Sequence, residues 1–174
     1  MKKFFFLFVT LLLANATILK ADEPALGTGI GNKAPELTGP STNGKELKLS
    51  DTRGKVVLLD FWAGWCGPCR RENPVVVAAY QKYKDKKFSV GKGFTVFSVS
   101  LDRDQASWVN AIAQDKLEWP NHISDLKWWN SKYAAVYGVR SIPANFLLNG
   151  EGVIIATNLR GPALEAELAK LVKQ

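Results

Sequence analysis

Two cysteines, Cys66 and Cys69, follow closely on a continuous apolar run, and this arrangement constrains the fold more than any other feature of the sequence. Residues 56 to 62 are almost entirely apolar, as expected for a strand that is buried on both faces of a sheet. Pro68 suits the first turn of a helix, where its missing N–H has no partner to lose. We therefore predict a central strand, a tight turn carrying the cysteines, and a helix over residues 68 to 83.

The rest of the chain alternates between strand and helix patterns. An Asn-Gly pair at residues 43 and 44 predicts an N-terminal hairpin, and a second pair at residues 149 and 150 joins the last two strands. We predict strands over residues 94–100, 121–123, 144–148 and 153–157, helices over 104–114, 126–137 and 164–172, a kink at Pro74, a polar loop over 84–93 and a left-handed Gly138. This order indicates an α/β domain with a mixed central sheet and helices on both faces.

The first 21 residues have the pattern of an export signal. Lys2 and Lys3 precede an apolar run over residues 4 to 13, and small residues follow, so cleavage is expected after Ala16 or after Ala21. The run is shorter than the about 20 residues that span a bilayer. The alternative is an uncleaved N-terminal membrane anchor. After cleavage we expect a soluble, periplasmic protein in a compartment where disulfides form.

At 174 residues the chain is long enough for one well-buried domain. We predict a flexible, glycine-rich linker over residues 22 to 33 and a single domain over residues 34 to 174. The formal net charge of +7 falls to +4 without residues 1 to 21, which hold three lysines and no acid. No basic cluster remains, so a nucleic acid partner is not expected.

The cysteine spacing favours redox chemistry over a structural role. At a helix N-terminus the exposed N–H groups favour a thiolate at Cys66, and Cys69 lies on the same face as a resolving thiol. A zinc site needs about four ligands, and the only other soft or borderline ligands are the distant His122 and Met1, so no metal is expected. A static disulfide would close a very short loop and stabilise little.

The motif also carries a specific family resemblance. Residues 61 to 69 read Phe-Trp-Ala-Gly-Trp-Cys-Gly-Pro-Cys and resemble the active-site segment of thioredoxin. The Ala34-Pro35 opening, residues 70 to 74 and residues 137 to 143 resemble its exported TlpA/ResA branch, within the AhpC/TSA-thioredoxin superfamily. The resemblance implies a thioredoxin-like fold in which residues 104 to 127 form an inserted helix and strand.

The resemblance also assigns candidate site residues. Cys66 and Cys69 would form the redox-active disulfide, and Pro143 would be a cis-proline facing it, with the Ile142 backbone pairing to an incoming peptide. Proline tolerates the cis form at small cost, although an ordinary trans proline opening a strand is the alternative. Three further residues around the nucleophile would also contact the substrate: Trp65, Gly67 and Pro68.

Two acids are candidate catalytic residues. Asp60 interrupts the apolar strand, and burial there would raise its pKa, so it could accept the Cys69 proton. Glu72 matches the glutamate of the exported branch, although it could instead be an acid favoured by the helix dipole. His122, Trp108, Trp128 and Trp129 are interpreted mainly as packing residues.

The expected function is therefore an exported thiol-disulfide oxidoreductase. It would work as a monomer without a cofactor, reduce disulfides in client proteins and receive electrons from a membrane relay. Cytochrome c maturation and general disulfide reduction are both compatible with the resemblance. One alternative is a thiol peroxidase, although Leu59 and Ala63 stand where that family carries proline and threonine. The other is a non-catalytic module that binds a peptide or a metal.

Overall fold

The computed structural model describes residues 23 to 173, so the predicted signal peptide lies outside the described residues. In that range nine strands and four α-helices are found, together with short 3-10 helices at Leu49–Thr52 and Trp128–Asn130. The strands are β1 Thr38–Pro40, β2 Glu46–Lys48, β3 Val56–Trp62, β4 Lys87–Phe88, β5 Gly91–Lys92, β6 Phe94–Ser100, β7 Asn121–Ser124, β8 Ala144–Leu148 and β9 Ile154–Thr157. The helices are α1 Gly67–Tyr83, α2 Gln105–Gln114, α3 Lys132–Val136 and α4 Pro162–Leu171. None of these helices is long and apolar enough to cross a membrane.

The central sheet is mixed, as the sequence predicts. Its five strands run in the order β7-β6-β3-β8-β9, with β3 parallel to β6 and antiparallel to β8. All seven residues of β3 are buried, which explains its continuous apolar sequence. The predicted α/β fold with a mixed central sheet is therefore confirmed.

Side chains of β3 alternate between two hydrophobic cores. Leu58 and Trp62 face the core that α1, α2 and α4 cover, while Leu59 and Phe61 face the core closed by the N-terminal hairpin and α3. Both cysteines belong to the first core. Asp60 shares the face of Leu58 and Trp62 by this alternation, which places its carboxyl group on the cysteine side of the sheet.

The N-terminal hairpin is confirmed. β1 and β2 pair antiparallel around Gly44, whose φ of +81° explains the glycine. Gly39 in β1 is also required, because a Cβ atom there would lie 1.9 Å from the Tyr133 hydroxyl oxygen.

The predicted helix over residues 126 to 137 is wrong in extent. Leu126 and Trp128 have left-handed backbones, with φ values of +54° and +53°, so no regular helix can form there. The side chain of Asp125 accepts hydrogen bonds from the Lys127 and Lys132 N–H groups, at 3.2 and 2.9 Å, and holds the turn. Only the short α3 remains, and Gly138 follows it with the predicted left-handed φ, +63°.

Two smaller differences concern loops. The predicted polar loop over residues 84 to 93 contains the β4-β5 ribbon. α1 continues through Pro74 to Tyr83, the predicted end of this helix. The predicted flexible linker over residues 22 to 33 is hydrogen-bonded to the domain over its second half: the Gly31 N–H donates to the Ile154 carbonyl at 2.8 Å, and Lys33 bridges to Val153. These backbone bonds extend the β9 edge of the sheet.

His122 in β7 is a packed residue, as predicted. It is 5 % exposed and stacks on Trp119, with ring centroids 5.6 Å apart. Burial is the main cause that lowers the pKa of His122 from 6.5 to about 4.

This burial predicts an acid-dependent loss of stability. Because the unfolded chain binds a proton at His122 below pH 6.5 and the folded chain does not, the contribution of His122 to stability falls as the pH drops from 6.5 towards 4. The loss approaches about 3 kcal/mol, at about 1.4 kcal/mol per pKa unit. In urea unfolding, the free energy of unfolding of His122→Asn should therefore gain on that of the wild type as the pH falls across this range. Parallel profiles for the two proteins would contradict the prediction.

Candidate active site

The local fold places the two cysteines at the mouth of a helix. β3 ends at Trp62 and α1 begins at Gly67, so Cys66 is the N-cap residue and Cys69 lies in the first turn. The two form a disulfide, with their Cα atoms 5.2 Å apart. The Cys69 N–H donates to the Cys66 sulfur at 3.2 Å. An N–H donor and the helix dipole both stabilise negative charge on this sulfur once the disulfide is reduced.

The two sulfurs are not equally accessible. Cys66 is 4 % exposed and Cys69 is 1 % exposed, while Trp65, Gly67 and Pro68 around them are exposed. Cys66 is therefore the slightly more exposed residue of the pair and the candidate for first contact with a disulfide.

A loop from the far end of the chain faces the disulfide. The Ile142–Pro143 peptide bond is cis, as the resemblance predicts. The Ile142 carbonyl oxygen lies 3.8 Å from the Cys66 sulfur. Both loop residues are half-buried, and β8 begins immediately after them. The structure thus brings these two predicted residues to the Cys66 sulfur. Their backbone forms an edge beside that sulfur.

Asp60 is the buried acid of the site. It is 6 % exposed, and burial is the largest cause that raises its pKa from 3.8 to about 7. The positive charge of Arg160 opposes this shift, and the negative charge of Glu72 adds to it. Asp60 can therefore exchange a proton near neutral pH, which is the property required of a proton acceptor.

Glu72 is held by a structural hydrogen bond. Its Oε1 accepts from the Gly161 N–H at 2.6 Å, and Gly161 is the N-cap residue of α4. Glu72 therefore ties α1 to α4 in the manner of a helix cap while its charge acts on Asp60. Both acids therefore remain candidates for the proton-accepting role.

Arg160 is a site residue that the sequence analysis missed. Its guanidinium donates to the carbonyl oxygens of Leu159, at 2.8 Å, and of Pro143, so it joins the cis-proline loop to the segment before α4. Asn145, the β8 residue paired with Asp60, holds the same segment by accepting from the Leu159 N–H at 2.9 Å. No local sequence pattern predicts a site role for Arg160, because this residue reaches the site only through the pairing of β8 with β3.

Trp65, a predicted substrate contact, packs against Trp128 and Trp129, which were interpreted mainly as packing residues. The rings of Trp128 and Trp129 meet it edge to face, with centroid distances of 6.3 and 6.2 Å. The Trp65 indole donates to the Leu101 carbonyl at 3.3 Å. Trp108 is a core residue, 1 % exposed, as predicted.

The inserted α2 braces the active-site turn. Both carboxylate oxygens of Asp102 accept from the Gly64 N–H, at 3.2 and 3.0 Å, and a Cβ atom at Gly64 would lie 2.8 Å from the Ala111 Cβ. Arg70 donates to the Gly64 carbonyl at 3.1 Å and pairs with Asp115. The charge of Arg70 is thus engaged by α2 and its C-terminal cap rather than directed at Cys66.

The buried acid gives a prediction that needs no knowledge of the substrate. Because folding raises the pKa of Asp60, its protonated form is favoured in the fold, and stability is lost as the pH rises from 3.8 to 7. Asp60→Asn should therefore gain stability over the wild type with rising pH, by up to about 4 kcal/mol, at about 1.4 kcal/mol per pKa unit. Urea unfolding of the oxidised proteins between pH 4 and about 8 measures this.

Glu151→Gln is the matched control, since Glu151 is exposed. Its difference from the wild type should stay flat with pH. A flat difference for Asp60→Asn as well would show that Asp60 titrates as an ordinary exposed acid.

Comparison with known proteins agrees with this geometry. Residues 30 to 172 match the Redoxin family. Thiol-disulfide oxidoreductase ResA of Bacillus thuringiensis subsp. konkukian is 30 % identical over 145 residues, which cover 83 % of this chain and 78 % of that protein. The crystal structure of the thioredoxin domain of a Bacteroides vulgatus thiol-disulfide oxidoreductase is similar with a TM-score of 0.74 and 36 % identity, covering 83 % of this chain and 99 % of that one. The C-terminal domain of a Bacteroides thetaiotaomicron protein described as a putative thiol-disulfide oxidoreductase also gives a TM-score of 0.74, at 33 % identity, over 83 % of this chain and 96 % of that one. The chain therefore belongs to the Redoxin family, within its ResA-like group of thiol-disulfide oxidoreductases.

Proposed function

We propose that this chain is an exported reductase that passes two electrons from its Cys66–Cys69 pair to disulfides in client proteins. The observation that carries the proposal is the position of the Cys66 sulfur, at the N-terminus of α1 and 3.8 Å from the Ile142 carbonyl oxygen. A nucleophile stabilised by the helix mouth thus lies next to a backbone edge that can receive an extended peptide.

The first step is attack by the reduced protein. The Cys66 thiolate attacks one sulfur of the client disulfide, which forms a mixed disulfide and breaks the client S–S bond. The second client sulfur leaves as a thiolate and takes a proton from solvent. The mixed disulfide is placed by the Ile142 backbone and Pro143 on one side and by Trp65, Gly67 and Pro68 on the other.

The second step releases the client. Cys69 gives its proton to Asp60, whose pKa of about 7 suits this transfer, and the resulting thiolate attacks the Cys66 sulfur. The Cys66–Cys69 disulfide forms, the mixed disulfide breaks, and the client leaves with both cysteines reduced. Glu72 supports this step through the effect of its charge on Asp60.

The direction of electron flow follows from what stabilises the reduced pair. A strongly stabilised thiolate makes such a pair oxidising, but Gly67 and Pro68 add no positive charge between the cysteines, and Arg70 is engaged by Asp115. The pair should therefore be reducing. The signal-like residues 1 to 21 support work outside the cytoplasm, where a membrane relay would return electrons to the disulfide. The clients we propose are apocytochromes c or proteins with wrongly paired cysteines.

A trapping experiment tests this function. Cys69→Ser should stop the cycle at the mixed disulfide, because no thiol remains to attack Cys66. When the variant is expressed with residues 1 to 21, non-reducing gels should then show covalent adducts that dithiothreitol cleaves. Mass spectrometry of the adducts identifies the client and separates cytochrome c maturation from general disulfide reduction.

Two controls define the outcome. The wild type should reduce insulin disulfides when supplied with dithiothreitol, and Cys66→Ser should lose both this activity and the adducts. If Cys69→Ser forms no more adducts than Cys66→Ser, and the wild type leaves insulin intact, the chain is not a protein-disulfide reductase.

A further inference from the structure

An open groove lies next to the disulfide on the side of the inserted helix. It has a volume of about 680 Å³ and runs between the active-site turn and α2, with Trp65 at one end. Its wall includes Arg103, Asn110 and Trp128, none of which enters the exchange chemistry described above. Gly64 and Trp65 of the active-site turn line the groove, and Trp65 directly precedes Cys66, so the groove lies beside the site of exchange.

The aromatic wall of the groove is fixed but not covered. Trp65 is 49 % exposed although its indole N–H is bonded to the Leu101 carbonyl. The Trp128 ring meets the Trp65 ring edge to face. The Arg103 guanidinium lies over the Trp128 ring, 3.7 Å from its centroid. Trp65 is thus an exposed aromatic side chain held by a hydrogen bond, with the half-buried Trp128 beside it, and an arrangement of this kind is suited to contact with a partner.

Trp128 is held in place by an unfavourable backbone. Its φ of +53° is a genuine outlier for a bulky side chain. Conformations of this kind persist where the surroundings impose them, and they concentrate at functional sites. Here the turn stabilised by Asp125 imposes the conformation, and the result is an indole placed against Trp65.

The charged side chains of the groove differ in whether they already bond to other residues of the chain. Asp102 accepts from the Gly64 N–H and the Ser100 hydroxyl, and Asp104 accepts from the Ser107 N–H. Arg103, by contrast, takes part in no ion pair within residues 23 to 173. An occupant would thus meet an aromatic wall of two rings inclined at 69° to each other, with the Arg103 guanidinium over the Trp128 ring.

We propose that this groove binds the client polypeptide next to its reacting cysteine, with an aromatic or large aliphatic client side chain packed against Trp65 and Trp128. The inference rests on the proposed function and narrows its substrate class to cysteines flanked by such residues. Arg103 is a positioning residue, because its guanidinium lies over the Trp128 ring and limits the positions that this ring can take. Small disulfides that lack a flanking chain gain nothing from the groove.

Paired substrates test the proposal. We would compare two short peptides, each with one cysteine in a mixed disulfide with 2-mercaptoethanol, flanked by phenylalanine in one and glycine in the other. Hydroxyethyl disulfide is the small reference substrate. Trp128→Ala should lower the phenylalanine-to-glycine ratio of kcat/KM about fivefold, the scale of one lost aromatic contact. Trp128→Phe should restore most of the ratio.

Two variants at exposed residues keep the test decisive if Trp128→Ala fails to fold. Arg103→Ala changes an exposed residue and should lower the same ratio by a smaller factor, while Lys127→Ala, an exposed cation of the same turn outside the groove, should not. Equal ratios in all variants would overturn the proposal while leaving the reductase function intact. A changed sedimentation coefficient for Trp128→Ala with an unchanged ratio would also overturn it and assign the groove to a second copy of this chain. Absence of activity on every disulfide, hydroxyethyl disulfide included, would reject the proposed function itself.

Discussion

The hydrogen bond from the Cys69 N–H to the Cys66 sulfur, at 3.2 Å, is the contact on which the chemistry of this protein depends. It exists because α1 begins one residue after Cys66, so the Cys69 N–H of the first turn has no partner within the helix and reaches that sulfur. The buried strand β3 delivers the cysteine to this position, and Pro68 starts the helix without the loss of a hydrogen bond. The Cys69 N–H, a donor of the first helical turn, therefore stabilises negative charge on the Cys66 sulfur once the disulfide is reduced.

The surroundings of the disulfide are built from distant parts of the chain. The antiparallel pairing of β3 with β8 sets Asn145 opposite Asp60 and brings the cis-proline loop to Cys66. Arg160 then links that loop to the segment before α4, and its charge moderates the effect of burial on Asp60. The candidate proton acceptor and the cis-proline loop are thus linked through Arg160.

Local sequence patterns predicted the elements that depend on local forces. The bounds of β3 were correct because every one of its residues is buried, and the first hairpin was correct because Asn-Gly supplies the positive φ that the turn needs. The helix over residues 126 to 137 was wrong, because helical propensity does not reveal that Asp125 would hold the Leu126 and Trp128 backbones in left-handed conformations.

The candidate site also combines residues that local patterns predict with residues that only tertiary structure brings together. Cys66, Cys69, Asp60 and the cis bond before Pro143 follow from a motif, an interrupted apolar strand and a family resemblance. Arg160 and Trp128 could not be predicted, because only tertiary structure brings them to the disulfide. Burial of Asp60 was expected from its strand, but the opposing charges of Arg160 and Glu72 appear only in the folded protein.

The most direct measurement of the central claim is the rate at which iodoacetamide alkylates Cys66 in the reduced protein at neutral pH. Cys69→Ser removes the competing thiol, and the same variant unfolded in guanidinium chloride supplies the reference rate. If the mouth of α1 stabilises the thiolate, the folded protein should react at least about tenfold faster, as expected for a catalytic cysteine at a helix N-terminus. A folded rate equal to or below the unfolded one would contradict the account, because the sulfur would then be an ordinary buried thiol.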